Sequence, residues 1–338
     1  MGKKGTWGRE LGVDLGTASI LIWSRGKGIV LREPSVAALD RETGKLLAVG
    51  EEAQKMLGRT PENIVAVRPL REGVIADAGR TEEMLRVLLR RAAGRSPFKP
   101  RAVICVPSGI TDVEEQAVVR AGTRAGARQV LLIEEPLAAA IGAGLDVSRP
   151  EGCMVVDIGG GTTDAAVLSL GGVAVSGSVR AAGDRFDEAV VRFLRHEHEL
   201  LIGERTAEEL KRSIGWAVPP PESETVTVMG RCLRTGLPRS AEIGAGELSE
   251  ALREVCRQIT ELIRSVLERT PPELAADVAA SGILLTGGGS LLRGMEQCVR
   301  EATGIETRLA EDPVSCVAIG AGRSREVLGK RQEGKRHK

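Results

Sequence analysis

Tyrosine is absent from the 338 residues, and phenylalanine and tryptophan occur three times each. So few rings disfavour stacking platforms for single-stranded nucleic acid. A formal net charge of +1 gives no global basic field for a polyanion, so nucleic acid is not an expected partner. The six cysteines (Cys105, Cys153, Cys232, Cys256, Cys298, Cys316) stand singly, with no CxxC pair. That leaves no zinc-type spacing, and no disulfide scaffold is expected in a chain of this size. Cys105 and Cys153 lie in apolar, strand-like runs and read as small buried thiols. No stretch approaches the roughly 18 apolar residues of a membrane span. The N-terminal Met1-Gly-Lys-Lys-Gly-Thr-Trp7 lacks the apolar core of a signal peptide, so the expected location is cytoplasmic. The common nucleotide fingerprints are missing too: there is no GxxxxGK[ST] loop and no GxGxxG after a strand. His196 and His198 are not an HExxH pair. Two residues apart on a helix they point about 200° apart, which suits a solvated face better than a metal site.

What is present is a repeated design. Val13-Asp-Leu-Gly-Thr-Ala-Ser-Ile and Val156-Asp-Ile-Gly-Gly-Gly-Thr-Thr-Asp each read as an apolar strand ending in Asp, a Gly/Thr turn, then a second apolar strand. A glycine turn and a third strand follow each copy (Ile29-Val-Leu31 and Val173-Ala-Val175). The chain is long enough for two domains, each with its own core. Two copies suggest two similar domains facing each other. Strands alternate with helices throughout, which predicts α/β architecture.

Several elements follow from pattern alone. Residues 33–70 look like a small insertion, and Thr81 is a candidate N-cap for a helix through Ala93. Asp112 is a candidate cap for a helix over 113–125, and Pro136 suits the first turn of a helix over 137–144. Helices are expected at about 184–200, 206–215 and 247–269, with a small β-containing insertion over 219–245. Leu252, Val255, Ile259, Leu262, Ile263 and Val266 share one face of the third helix. The basic tail from Arg323, including Arg325, Lys330, Arg331, Lys335, Arg336 and Lys338, reads as a solvated, frayed end.

Three glycine turns follow apolar strands: Gly16-Thr17-Ala18-Ser19, Gly159-Gly160-Gly161-Thr162-Thr163 and Gly287-Gly288-Gly289-Ser290. Glycine permits close backbone approach, and the following N–H and hydroxyl groups make an anion-binding concavity. The third turn precedes a helix, whose N-terminus suits a phosphate or an adenine ring. Asp14 and Asp157 each end a buried strand, where an unpaired carboxylate is costly. A hydrated Mg²⁺, which takes few carboxylates and keeps several waters, resolves that cost.

These motifs resemble the actin/DnaK-type chaperone/sugar-kinase ATPase superfamily and, more narrowly, the MreB/Mbl family of bacterial actin homologues. The narrower resemblance is carried by Gly28-Ile-Val-Leu-Arg-Glu-Pro-Ser-Val36, Gly73-Val-Ile-Ala-Asp77, Leu132-Ile-Glu-Glu-Pro136, Leu201 to Lys211, Thr270 to Asp277 and Leu285-Thr-Gly-Gly-Gly289, and spans about residues 10–325. It implies an actin-like ATPase fold: two α/β domains, each with a mixed sheet and a small insertion, around a nucleotide cleft. Domain I would comprise 1–146 and 314–338, with its insertion at about 33–70. Domain II would be 147–313, with its insertion at about 184–245. The helix after Pro313 would return to the first domain.

By the same resemblance, Asp14 and Asp157 hold Mg²⁺ through water. The residues Gly16, Thr17, Ala18, Ser19 and Gly159, Gly160, Gly161, Thr162, Thr163 grip the phosphates of ATP. Glu135 orients the attacking water, Asp77 is a second acid near it, and the segment Glu208-Glu209-Leu210-Lys211 clasps the nucleoside. Glu208 and Lys211, three apart on one helix face, would equally make an ordinary helix salt bridge. The Gly287, Gly288, Gly289 and Ser290 turn completes the nucleotide site. The chain departs from the family pattern at Ser19-Ile20 (usually Asn-Thr), at Asp164 (usually Glu) and at Ala78-Gly79 (usually Phe-Glu).

The implied task is an ATP-dependent, slowly hydrolysing, membrane-associated filament that directs cell-wall synthesis and maintains rod shape. Its partners would be further copies of itself, the inner face of the cytoplasmic membrane, and the shape proteins MreC, MreD, RodZ and RodA. Phe98, with Arg90, Arg91, Arg95, Lys99 and Arg101 around it, matches a family loop that enters the membrane; folding back onto its own domain is the alternative. Rival readings are a plasmid-segregating or division actin homologue, a small-molecule kinase of the superfamily, and a DnaK-like chaperone ATPase. The last carries a long substrate-binding region after its ATPase core, and this sequence ends at 338.

Overall fold

In the computed structural model, residues 9–335 are described except 59, 95 and 97, with side chains given as far as Val327. Each half of the chain builds a five-stranded mixed sheet in the same order. In the first, Glu10–Leu15, Ser19–Ser24 and Gly28–Pro34 form an antiparallel meander. Arg101–Val106 then adds in parallel beside Glu10–Leu15, and Gln129–Glu134 in parallel beside Arg101–Val106. In the second, Cys153–Ile158, Thr163–Ser169 and Gly172–Val179 repeat the meander. Ile283–Thr286 adds in parallel beside Cys153–Ile158, and Thr307–Leu309 in parallel beside Ile283–Thr286. Central strands buried on both faces read as continuous apolar runs rather than alternating ones. That explains why Ser19–Ser24 and Thr163–Ser169 are almost wholly buried.

Helices cover the sheets. Ala245–Glu268 buries Leu248, Leu252, Val255, Ile259, Ile263 and Val266, while Leu262 stays half-buried at the edge of the stripe. Ala78–Ala93 buries Met84, Leu85, Leu88 and Leu89 against the first sheet. Its cap is Asp77, whose carboxylate accepts from Arg80 N at 3.0 Å; Thr81 lies inside the helix, bonded back to Asp77 O. Thr111 rather than Asp112 caps Asp112–Arg124, because Glu114 reaches back to its N–H and completes a capping box. Small three-stranded sheets stand on each half. One comprises Ala37–Asp40, Leu46–Val49 and Ile64–Val67. The other comprises Leu200–Leu201, Thr225–Cys232 and Pro238–Gly244.

A core between the sheets joins them. The helix Glu135–Gly142 and the C-terminal helix Cys316–Lys335 pack there through small residues. A Cβ on Gly320 would meet Ala138 O at 1.7 Å, and one on Gly142 would meet Cys316 O at 1.8 Å. The tail expected to fray at Arg323 continues this helix. Ser324 is buried, Arg325 pairs with Glu10 at 2.6 Å, and Glu326 pairs with Arg25. Arg95, Arg336 and Lys338, and the side chains of Lys330, Arg331 and Lys335, lie outside what is described.

Candidate nucleotide cleft

A cleft of about 760 Å³ opens between the two sheets, and both glycine turns of the repeated hairpin line it. Each hairpin places its Asp one residue before the strand ends: Asp14 pairs across to Leu21, Asp157 to Asp164. Both aspartates line the same cleft, as does Glu135 at the start of its helix. Burial pushes the Asp14 carboxyl up to about 8, and Asp157 adds to the effect. Burial likewise raises Asp157 to about 7 against a 2.7 Å hydrogen bond from Thr286 Oγ1. Glu135 is raised well above the usual carboxylate range, first by burial, then by Asp164, Asp14 and Asp157. No cation figures among the neighbours that shift these three groups.

That donor set fits a hydrated divalent cation. Among the described residues no three His, Cys, Asp or Glu side chains cluster as a metal cage. Two facing carboxylates plus water is the arrangement magnesium accepts.

The turns are built for close approach. A Cβ on Gly160 would lie 2.5 Å from Ala18 Cβ, and one on Gly161 would lie 2.5 Å from Thr17 Oγ1. Thr17 Oγ1 accepts from Gly73 N at 2.9 Å, so its own proton remains available to a ligand oxygen. Ser35 braces the first turn, donating from Oγ to Gly16 O at 2.5 Å and from N to Ala18 O at 3.0 Å. The second turn is braced by the helix Gly183–Glu197, whose Gly183 and Asp184 N–H groups bond to Gly159 O at 3.1 Å and Gly160 O at 2.7 Å. Gly287 has φ +83 and presses against Ile158 O, where a Cβ would stand at 2.3 Å. The turn after it is a short 3₁₀ segment, Gly288–Leu291, with the α-helix beginning only at Met295.

A family model described as MreB/Mbl protein matches residues 8–333. The chain belongs to the MreB/Mbl family. The cell shape-determining protein Mbl of Bacillus cereus (strain ATCC 10987 / NRS 248) is 50% identical over 315 residues, 93% of this chain and 95% of its own length. The cell shape-determining protein MreB of Escherichia coli (strain K12) is 48% identical over 331 residues, 96% of this chain and 95% of its own. The crystal structure of MreB5 of Spiroplasma citri bound to ADP superposes with a TM-score of 0.91 at 35% identity, covering 96% of this chain and 98% of that one. The same protein bound to AMPPNP matches equally well. The fold is thus the actin-like one that the MreB/Mbl resemblance implied.

The structure gathers most, not all, of the expected site residues. Asp14, Gly16, Thr17, Ala18, Ser19, Glu135, Asp157, Gly159, Gly160, Gly161, Thr162, Glu208, Lys211, Gly287, Gly288 and Gly289 all line the cleft. Thr163 and Ser290 do not: their hydroxyls donate to Ala181 O at 2.6 Å and Gly287 O at 2.5 Å, so they hold the turns in shape. Glu209 pairs with Arg205 at the exposed surface, and Leu210 is buried in the core. Asp77 is an exposed helix cap outside the cleft lining. Glu208 does not pair with Lys211; its carboxylate lies 3.9 Å from Arg212. His198 caps its helix beside Glu247 at 3.3 Å.

Residues that local pattern missed also line the cleft: Arg68, Gly183, Asp184, Asp187 and Arg293. Arg68 crosses between the halves, 3.4 Å from Asp184 and 3.7 Å from Glu204. Glu72 does the same toward Arg180 at 2.8 Å. Asp164, the family departure, is buried, accepts from Ser108 N at 2.9 Å and is raised by burial to about 6. Phe98 is 44% exposed. No helix among the described residues is long and apolar enough to cross a membrane.

Proposed function

We propose that the cleft binds Mg-ATP and that the chain is a slow, Mg-dependent ATP hydrolase whose turnover is coupled to its assembly into filaments. The observation that carries this reading is the juxtaposition, in one cleft, of two opposed glycine turns and the acids Asp14, Asp157 and Glu135, the last two of them buried. Relatives of 50% and 48% identity are cell shape-determining proteins. The MreB5 structures hold ADP and AMPPNP.

In this reading the backbone N–H groups of the 16–19 and 159–162 turns, with the Thr17 and Thr162 hydroxyls, grip the phosphates. Asp14 and Asp157 would hold a hydrated magnesium, which when bound neutralises phosphate charge. Glu135 aligns the attacking water and accepts its proton; a carboxyl raised by burial is the stronger base for that step. Ligand contacts to both halves favour the closed arrangement, and loss of the terminal phosphate weakens it, which shifts the population of assembly-competent subunits.

The division of the chain into 1–146 with 314–338 and 147–313 belongs to this proposal. So do rod-shape maintenance through directed wall synthesis and cooperation with MreC, MreD, RodZ and RodA. Phe98 and the cations around it would attach the polymer to the inner face of the cell membrane. Burying one Phe is worth about 1.5–3 kcal/mol, so a single subunit binds marginally and many copies in a filament bind avidly.

Sedimentation with ATP, ADP and no nucleotide, read beside phosphate release, tests the core of the reading. Filaments imaged by electron microscopy on anionic lipid monolayers test its membrane part. ATP-independent sedimentation with no phosphate release would overturn it.

A further inference from the structure

Two acids in the first turns of the helix Gly183–Glu197, Asp184 and Asp187, line the cleft. Asp184 faces Arg68 across the mouth. Asp187 faces Lys211, on the helix Glu204–Ile214, with Nζ 2.8 Å from Oδ1. Lys211 Nζ also donates to Gly183 O at 3.2 Å. The two side chains are only 14% and 17% exposed, so their pairing is poorly screened.

An ammonium has three N–H donors on a flexible four-carbon stem. Here one donor meets Gly183 O while the ammonium lies against the Asp187 carboxylate on the same helix turn, so the stem is held in one arrangement before a ligand arrives. One donor remains for it. The other acids around Asp187, Glu208 and Asp184, oppose its charge, and Lys211 is the cation that offsets them.

We propose that Asp187 is a positioning residue for nucleoside recognition. It fixes Lys211 so that the remaining ammonium donor meets an acceptor on the sugar or base of the bound nucleotide. This rests on the nucleotide reading of the cleft. The bland alternative is a tie between two helices that no ligand senses.

Calorimetric titration of the full chain with Mg-ATP and with magnesium tripolyphosphate, which has the phosphates but no nucleoside, separates the two. Asp187→Asn should weaken ATP binding about tenfold, the worth of one charge-assisted hydrogen bond, with tripolyphosphate changed by less than about twofold. Lys211→Met should show the same selective loss, and the double variant should be no worse than either single one. Asp187→Glu should restore most of the affinity. If Asp187→Asn does not fold, Lys211→Met and Asp187→Glu carry the same comparison. An equal loss for both ligands, unchanged ATP affinity, or additive losses in the double variant would overturn the assignment. Failure of the unmutated chain to bind ATP removes the nucleotide reading itself, and shows before any variant is made.

Discussion

Replacing Gly160 by alanine tests whether the cleft works by closing two turns onto each other. Gly160 is not among the glycines with positive φ, so an alanine backbone fits without strain. The obstacle is the other half of the molecule. The new Cβ would stand 2.5 Å from Ala18 Cβ and 3.0 Å from Ala18 N. Carbon atoms in contact sit about 3.5–4.0 Å apart, so the turns must separate by roughly 1 Å. Neither turn yields easily, because Ser35 N holds Ala18 O at 3.0 Å and Asp184 N holds Gly160 O at 2.7 Å. The halves should therefore open instead, which in the proposed mechanism displaces the phosphates of ATP from Glu135. A misplacement of about 1 Å can cost on the order of 100-fold in rate. Gly160→Ala should lower phosphate release by about that factor and abolish ATP-dependent sedimentation. Thermal unfolding without nucleotide should be little changed, since neither turn belongs to a core cluster. Gly172→Ala, whose Cβ meets nothing within 4 Å, is the control and should behave as the unmutated chain. A Gly160→Ala protein that hydrolyses and sediments normally would refute the reasoning.

Glu135→Gln should retain ATP binding while slowing phosphate release by about 100-fold or more, the usual worth of a general base, and sedimented polymer should persist longer; an unaltered rate would exclude Glu135 as the base. Asp77→Ala should cost about 1 kcal/mol in chemical denaturation through loss of the cap and leave turnover per folded molecule unchanged; a turnover defect would return Asp77 to the catalytic machinery. Asp14 and Asp157, raised to about 8 and 7 from 3.8, keep protons in the folded state that the unfolded chain has already released. Their contribution to stability is therefore full below about pH 4 and is lost as pH rises toward 8. Melting without magnesium should show Asp14→Asn declining less steeply with pH than the unmutated chain, and equal slopes would contradict this sign. Phe98→Ser should lower co-sedimentation of ATP polymers with anionic vesicles without changing polymer formation in solution. Equal vesicle binding by a non-assembling variant and by polymer would refute the avidity argument.

The site is legible where its chemistry is local. Asp14 and Asp157 announce themselves because a charged residue ends an apolar strand just before glycines, and the pairing register then delivers both to the cleft. Glu135 is legible for a similar reason, a strand end meeting a Pro-started helix. The residues that the structure places elsewhere than expected share one cause, namely that a residue type admits two jobs and only tertiary neighbours choose between them. Asp77 has the carboxylate a catalyst needs, but the same carboxylate caps a helix, and Arg80 N lies 3.0 Å away. Thr163 and Ser290 have the hydroxyls a phosphate wants, yet both turn inward to carbonyls. Helix spacing offered Glu208 to Lys211, but a half-buried ammonium pairs with the carboxylate that folding brings nearest, here Asp187 on another helix. Arg68 shows the limit most plainly, since its partners Asp184 and Glu204 become neighbours only when the two halves meet. Backbone turns that line the cleft are thus written in adjacent residues, whereas the charges that pair across the halves are written far apart in sequence. It follows that changes at Arg68 or Glu72 should alter how readily the cleft opens while leaving its glycine turns intact.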